Sequence, residues 1–210
     1  MTETPASALS RIGWRGEIPA SDSGTDHRRI ARVVAQHRAG YELHDGEHAF
    51  TAQPAPRFLK PGIDPGDRPA VGDFVWISNA VPPTIEQVLP RRSTLSRSAA
   101  GERHLRQVIA TNIDTVMVVC GLDGDFNPAR IERYFVLIEG SGAKAVVVLT
   151  KADLAADAQA LTDQLKARMP AGTEIHAINA KTGFGVDALL AHLGPGSSTV
   201  LVGSSGAGKS

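Results

Sequence analysis

The sequence predicts two domains of different class, a small all-β barrel followed by an α/β domain with a mainly parallel sheet. Three observations carry that expectation. Ten of the thirteen prolines lie before residue 91, leaving Pro128, Pro170 and Pro195 for the remainder. The first half breaks into short strand-like runs separated by turn signals, and the second alternates apolar strand runs with segments of helical spacing. At 210 residues, with 42% apolar and 21% charged side chains, the chain has room and material for two packed cores.

Residues 1–26 are rich in Ser, Thr, Ala and Gly, carry Pro5 and Pro19 and lack sustained periodicity, so they read as a flexible arm in which Trp14 can dock. The barrel is expected over 27–97. Its strands are read at 30–36, 41–44 and 47–53, the last two joined by Asp45-Gly46, the signature of a tight hairpin turn. Residues 54–69 hold five prolines and two glycines and read as a loop, after which strand character resumes at 71–77 and 84–89. Five short strands in about 60 residues point to the OB-fold, a five-stranded barrel whose open face and loops bind oligonucleotides.

The α/β domain is expected over 98–210. Residues 115–120 form a buried-strand run, and Asn127-Pro128 then supplies an N-cap followed by proline at the first helical position. Ile131, Phe135 and Ile138 keep helical spacing. Strands are read at 144–149 and 174–178, a helix over 154–169 with Leu154, Leu161 and Leu165 on one face, and a short helix at 186–192. Residues 198–202 lead into a glycine-rich loop. A repeated strand-helix series implies a parallel sheet covered by helices, with ligands at the carboxyl ends of its strands.

Composition excludes several classes. The 22 basic and 22 acidic residues balance. No apolar run approaches the roughly 18 residues of a membrane span, and the first 14 residues lack a signal peptide's apolar stretch, so a cytoplasmic protein without membrane contact is expected. The single cysteine, Cys120, makes no internal disulfide and no structural zinc site by itself, and reads as a small apolar filler.

The strongest chemical signal is Gly203-Ser204-Ser205-Gly206-Ala207-Gly208-Lys209-Ser210, which fits G-x-x-x-x-G-K-[ST] directly after an apolar strand. Glycines at 203, 206 and 208 let the backbone curl so that its N–H groups point inward and cradle phosphate oxygens, with Lys209 near the β and γ phosphates. Ser210 is the expected magnesium ligand. A phosphate loop does not choose a base. Thr150-Lys151-Ala152-Asp153 follows the 144–149 strand, and a carboxylate there accepts hydrogen bonds from guanine's ring N–H and exocyclic amine, which adenine cannot offer in that arrangement. The bland alternative for Asp153 is a helix cap. Asn179-Ala180-Lys181 follows the 174–178 strand, where backbone N–H reaches the guanine carbonyl and the Lys181 stem covers the base. In ordinary Ras-like GTPases the phosphate loop precedes the base-reading loops; here Asp153 precedes Gly203 by 50 residues, so the domain reads as a circularly permuted P-loop GTPase.

With these motifs in this order, the chain resembles the ribosome small subunit-dependent GTPase A (RsgA) family, circularly permuted GTPases behind an OB-fold. The resemblance covers nearly the whole chain beyond the arm. It rests also on Val71-Gly72-Asp73-Phe74-Val75, on Arg92-Ser93-Thr94-Leu95-Ser96-Arg97 and on 107–114. It implies hydrolysis of GTP to GDP, stimulated by the small ribosomal subunit, contact with the subunit's 16S rRNA late in assembly, and a monomer. The implied cofactors are GTP or GDP with magnesium, and zinc only in a C-terminal Cys/His domain outside this chain, with no zinc ligands expected within it. Two departures stand out. Thr150 occupies the position where GTPases usually carry the Asn that ties the base loop to the phosphate loop, so altered affinity without loss of binding is expected. The sequence also stops at Ser210, before the switch segments and zinc domain, so it reads as a fragment whose catalytic residues lie beyond Ser210 and which alone hydrolyses GTP negligibly.

Weaker signals weigh less. Arg91, Arg92, Arg97, Arg103 and Arg106, opposed only by Glu102, form a basic cluster suited to phosphate contact. Tyr41, Phe50, Phe74 and Trp76 can stack bases, but alternating aromatics in strands are more often core. His44 and His48 flank the Asp45-Gly46 turn, with His44 expected opposite Glu47 and Leu43 opposite His48, so they diverge; the other five histidines are scattered. Two rival readings stay open: a non-catalytic OB-fold RNA-binding module that is naturally short, and a P-loop ATPase of other function.

Overall fold

A computed structural model of the chain describes residues 5–17, 28–98 and 106–209. They fall into two compact units, one of residues 1–112 with 195–197, the other of 113–194 with 198–210.

In the first unit, β1 (Arg28–His37), β2 (Gly40–His44), β3 (Ala49–Pro54), β4 (Phe74–Ser78) and β5 (Thr84–Val88) close a barrel in the order β1-β2-β3-β5-β4. Every pairing is antiparallel except β3 with β5, the arrangement of an OB-fold. Alternate residues point inward, and Val33, Leu43, Ala52, Val75, Ile77 and Ile85 fill the interior. A fully buried Leu or Ile there contributes about 1.5–3 kcal/mol.

Several expectations are corrected here. Within the expected flexible arm, α1 (Pro5–Arg11) buries Ala8 and Leu9, and Trp14 meets Phe74 edge to face at 4.9 Å between centroids. Apolar surface on a short helix seats it wherever the barrel offers a matching face. The β2–β3 turn spans four residues, not two: Leu43 pairs with Phe50 and His44 with Ala49. Asp45 supports this register: its N–H meets the His48 carbonyl at 3.2 Å, and its Oδ1 accepts the backbone N–H of Glu47 at 3.0 Å and of His48 at 2.8 Å. The 54–69 stretch contains two 3-10 turns, at Pro56–Leu59 and Pro65–Asp67. The strand expected from residue 71 begins at Phe74, because Val71 and Gly72 form a turn with Gly72 at φ 97°; a Cβ on Gly72 would lie 2.0 Å from the Thr111 carbonyl oxygen. Tyr41, Phe74 and Trp76 are buried in the core, and Phe50 is covered by the Arg29 guanidinium at 4.4 Å, so none of the four presents an open stacking face.

The stretch 91–106, read as a basic junction, contributes β6 (Thr94–Ser98), which pairs antiparallel with β7 (Arg106–Thr111). The compact units divide after Asn112, beyond the boundary at 97/98 expected from the sequence, because β7 pairs back onto β6. Arg103 lies outside the described residues. Arg91 is not a free cation: it binds buried Asp73 through Nε and Nη2, both at 2.7 Å, and the Gly66 and Arg68 carbonyls. Asp73 also accepts the Thr111 hydroxyl at 2.7 Å and the Ala70 N–H at 2.8 Å.

The second unit holds β8 (Thr115–Gly121), β9 (Lys144–Thr150), β10 (Glu174–Ala177) and β11 (Thr199–Val202) in one sheet, order β10-β9-β8-β11, all parallel. Every residue of β8 is buried, as a central parallel strand covered on both faces requires. Two helices fill the crossovers. α2 (Pro128–Glu139) is capped by Asn127, whose Oδ1 accepts the Arg130 N–H at 3.0 Å, and it buries Ile131 and Ile138. α3 (Ala158–Lys166) is shorter than the helix expected over 154–169: Asp157 caps it, and Leu154 lies before it and is exposed. Val186–His192 is a 3-10 helix packed through Leu189. Among the described residues, no helix is long and apolar enough to cross a membrane.

Candidate functional site

Because all four strands are parallel, their carboxyl ends share one edge. β8 leads to β9 and β10 on one side through helical crossovers, while β11 lies on the other side of β8. The direction of the chain therefore reverses between β8 and β11, where open α/β sheets leave a crevice for ligands. The loops after β9, β10 and β11 carry the residues singled out from the sequence, and the fold brings all three to this edge.

The loop after β11 starts at Gly203, held so close to β8 that a Cβ there would lie 2.1 Å from the Val119 carbonyl oxygen. Gly206 and Gly208 have φ of 78° and 85°, left-handed values that allow the chain to curl. Ser204 and Ser205 form its outer arm, and Ala207, fully buried, anchors its underside in the core with Met117, Val119, Val146 and Val148. The Lys209 ammonium folds back over the loop to the carbonyls of Ser204, at 2.6 Å, and Gly203, at 3.0 Å. Ser210 lies outside the described residues.

The loop after β9 begins with Thr150, which is buried and donates its hydroxyl to the Ala207 carbonyl at 2.6 Å. The tie between base loop and phosphate loop thus exists without the usual Asn. Lys151 takes a left-handed conformation, φ 58° and ψ 39°, and its ammonium pairs with Asp123 at 2.5 Å. Ala152 donates its N–H to the Ile178 carbonyl at 3.1 Å, joining this loop to the next. Asp153 is exposed on the 3-10 turn Ala152–Leu154 and makes no hydrogen bond or ion pair to another described residue. Capping of α3 falls to Asp157, so the bland explanation for Asp153 does not apply.

Asn179 orders the loop after β10. Its side-chain oxygen accepts the N–H of Lys181 at 2.9 Å and of Thr182 at 3.3 Å, and its backbone bridges to Phe184. Ala180 and Lys181 are thereby held at the rim, with the Lys181 side chain exposed.

The residues after β8 escaped the sequence reading, although their place at a strand's carboxyl end could have marked them. Asp123 is paired with Lys151, whose hydrogen bond, helped by the Asp125 N–H, holds its carboxyl below the ordinary 3.8. Asp125 accepts the Ser204 hydroxyl and pairs with Arg130 at 2.7 Å; Ser204 first and Arg130 second lower its pKa. The edge therefore combines a curled glycine loop with a lysine, an unpartnered carboxylate and two acidic groups that steady the loops.

This fold and edge define a class: a protein with an OB-fold and a circularly permuted α/β domain of the P-loop GTPase type. Comparison with known proteins agrees. The RsgA GTPase family model matches residues 88–210, more than half of the chain. The small ribosomal subunit biogenesis GTPase RsgA of Xanthomonas campestris pv. campestris (strain B100) is 47% identical over 213 residues, covering 96% of this chain and 57% of its own length. Among solved structures, YjeQ from Thermotoga maritima is similar with a TM-score of 0.67 at 25% identity, over 87% of this chain and 63% of that one. YloQ, described as a circularly permuted GTPase, has a TM-score of 0.61 at 21% identity, over 90% of this chain and 64% of that one, a likeness of fold. The chain belongs to the RsgA GTPase family. It spans about three-fifths of the length of the curated relatives it matches.

Proposed function

We propose that this chain carries the guanine-nucleotide and RNA-binding parts of a GTPase that acts in biogenesis of the small ribosomal subunit. The observation that carries the reading is the shared edge, where an unpartnered Asp153 and the Asn179 loop stand beside the 203–209 loop, tied to it through Thr150. The family's relatives bear names that fit.

In this reading the N–H groups of 203–209 take the β and γ phosphates. Lys209, released from its own carbonyls, follows them. Asp153 accepts guanine's ring N–H and amine, the Ala180 backbone N–H faces the guanine carbonyl, and the Lys181 stem lies over the base. Ser210 holds the magnesium ion, which when bound neutralises charge on the β and γ oxygens during hydrolysis to GDP. The barrel and the β6–β7 hairpin meet 16S rRNA, with Arg97 supplying phosphate contact. The protein works as a monomer in the cytoplasm. A cysteine-containing zinc site lies outside these residues, since Cys120 is buried in β8.

Calorimetric titration of the chain with GTP, GDP and ATP in magnesium tests the base assignment. Asp153→Asn is expected to weaken GTP and GDP by on the order of 10²-fold or more and to leave ATP unchanged, because guanine's two donors lose their anionic acceptor. An unchanged GTP preference in that variant overturns the assignment. Preference for ATP in the unaltered chain favours an ATPase instead.

A further inference from the structure

We propose that Glu174, His176 and His192 form a binding site for a first-row divalent transition metal, zinc above all, away from the nucleotide edge. Glu174 and His176 stand two residues apart on β10 and so share one face of the sheet; His192 ends the 3-10 helix Val186–His192. One ligand atom from each lies within 4.8 Å of the others.

Two of the three separations are close to those of a coordination shell, and the third lies within 4.8 Å. His192 Nε2 is 3.1 Å from Glu174 Oε2, and His176 Nε2 is 3.8 Å from the same oxygen. Donors bound to zinc at 2.0–2.2 Å in a tetrahedron sit about 3.3–3.5 Å apart, between these two values. A hydrogen bond explains the first distance but not the second. His176 Nε2 is shut off from solvent and has no hydrogen-bond partner among the described residues, which leaves a buried nitrogen lone pair or N–H unmet. A metal ion would satisfy it together with His192 and Glu174.

The surroundings fit. The Lys144 ammonium pairs with Glu174 Oε1, which orients the carboxylate and leaves Oε2 for the ion; Lys144 is itself half-exposed, so water screens its charge. Two imidazoles and one carboxylate favour zinc or cobalt over magnesium or calcium, whose sites are built from oxygen. Three protein donors leave a fourth position for water. The ion would clamp the 3-10 helix onto edge strand β10, whose far end leads into the Asn179 loop. The site shares no residue with the proposed nucleotide contacts, and its test does not depend on them.

The test is titration of the metal-free full chain with Zn²⁺ against a chromophoric chelator at neutral pH, together with the visible spectrum of its Co²⁺ complex. One equivalent bound, with a tetrahedral cobalt spectrum, is expected. His176→Gln, His192→Gln and Glu174→Gln are each expected to lower affinity at least 10-fold, while His37→Gln leaves it unchanged. Glu174→Gln keeps size and a partner for Lys144, so far-UV circular dichroism should show it folded. Failure of the unaltered chain to compete for zinc, or binding that survives both histidine substitutions, overturns the proposal.

Discussion

The two units use their motif carboxylates in opposite ways. In the barrel unit Asp73 is wholly buried, and both its oxygens are taken up by Arg91, Thr111 and the Ala70 N–H. In the α/β unit Asp153 sits exposed at a strand's carboxyl end without a partner among the described residues. Both belong to short segments that the sequence marks equally well. What separates them is supply of donors: a carboxylate met by a guanidinium, a hydroxyl and an amide is a structural group, and one left open at a ligand-binding edge is available to a ligand. The same contrast divides the basic residues, since Arg91 is locked inside the unit while Arg97 is exposed and, among the described residues, bonded to the Gln107 side chain at 3.1 Å.

Substitutions can break this contrast, and the largest effect is expected at Asp73. Asp73→Ala leaves the Arg91 guanidinium partly buried and unpaired, which costs about 3–5 kcal/mol. Trp14 and Trp76 both lie in the first unit, so tryptophan emission during urea unfolding reports that unit alone; an unchanged midpoint would show that Arg91 finds other partners. Asp153→Asn should leave that midpoint untouched.

A smaller loss is expected at Thr150. Thr150→Val keeps shape but leaves the Ala207 carbonyl without its buried donor, a cost of about 1–3 kcal/mol in the α/β unit. Thr150→Asn, which restores a donor, should recover part of it. Amide hydrogen exchange of Ala207 and Gly208 reads both, and equal protection in all three chains would mean the bond adds nothing.

Arg97→Gln is expected to have a milder effect, lowering affinity for a 16S rRNA fragment and reducing the salt dependence by about one counterion. A steeper or unchanged salt slope argues against phosphate contact at Arg97. The smallest effect is in pH. Asp123 and Asp125 have folded pKa values below 3.8, so their contribution is fully present above that value and is lost as pH falls through the depressed folded values. Exchange protection around Ser204 and Lys151 should therefore hold from neutral pH down to about 4 and decline below; a decline beginning near pH 6 would point to a different group.

Legibility in the sequence followed the range of the interaction. β8, β9 and β11 were readable as apolar runs, and the Asn127 cap as Asn-Pro, because each depends on neighbours within a few residues. The strand ends placed the loops of 150–153, 179–181 and 203–209 on one edge. The β6–β7 hairpin was not readable: its strands are polar, and what makes them strands is pairing across a connection of several residues. Helix α1 was hidden for a similar reason, since Ala8 and Leu9 gain from burial only when a barrel is there to receive them.

By itself, then, the sequence determined the class of both domains, the glycine loop, the order that makes the domain circularly permuted and the family resemblance, because periodicity and contiguous motifs are local properties of the chain. Only the tertiary structure decided which polar groups are already satisfied. It removed Arg91 from the basic surface, made Thr150 the tie to Ala207, left Asp153 open, and drew His176 and His192, 16 residues apart and scattered to the eye, onto Glu174. A hydrogen-bond partner or a shared ligand is fixed by distances of about 3 Å between side chains, and those distances come from how strands and helices pack, which spacing along the chain does not encode.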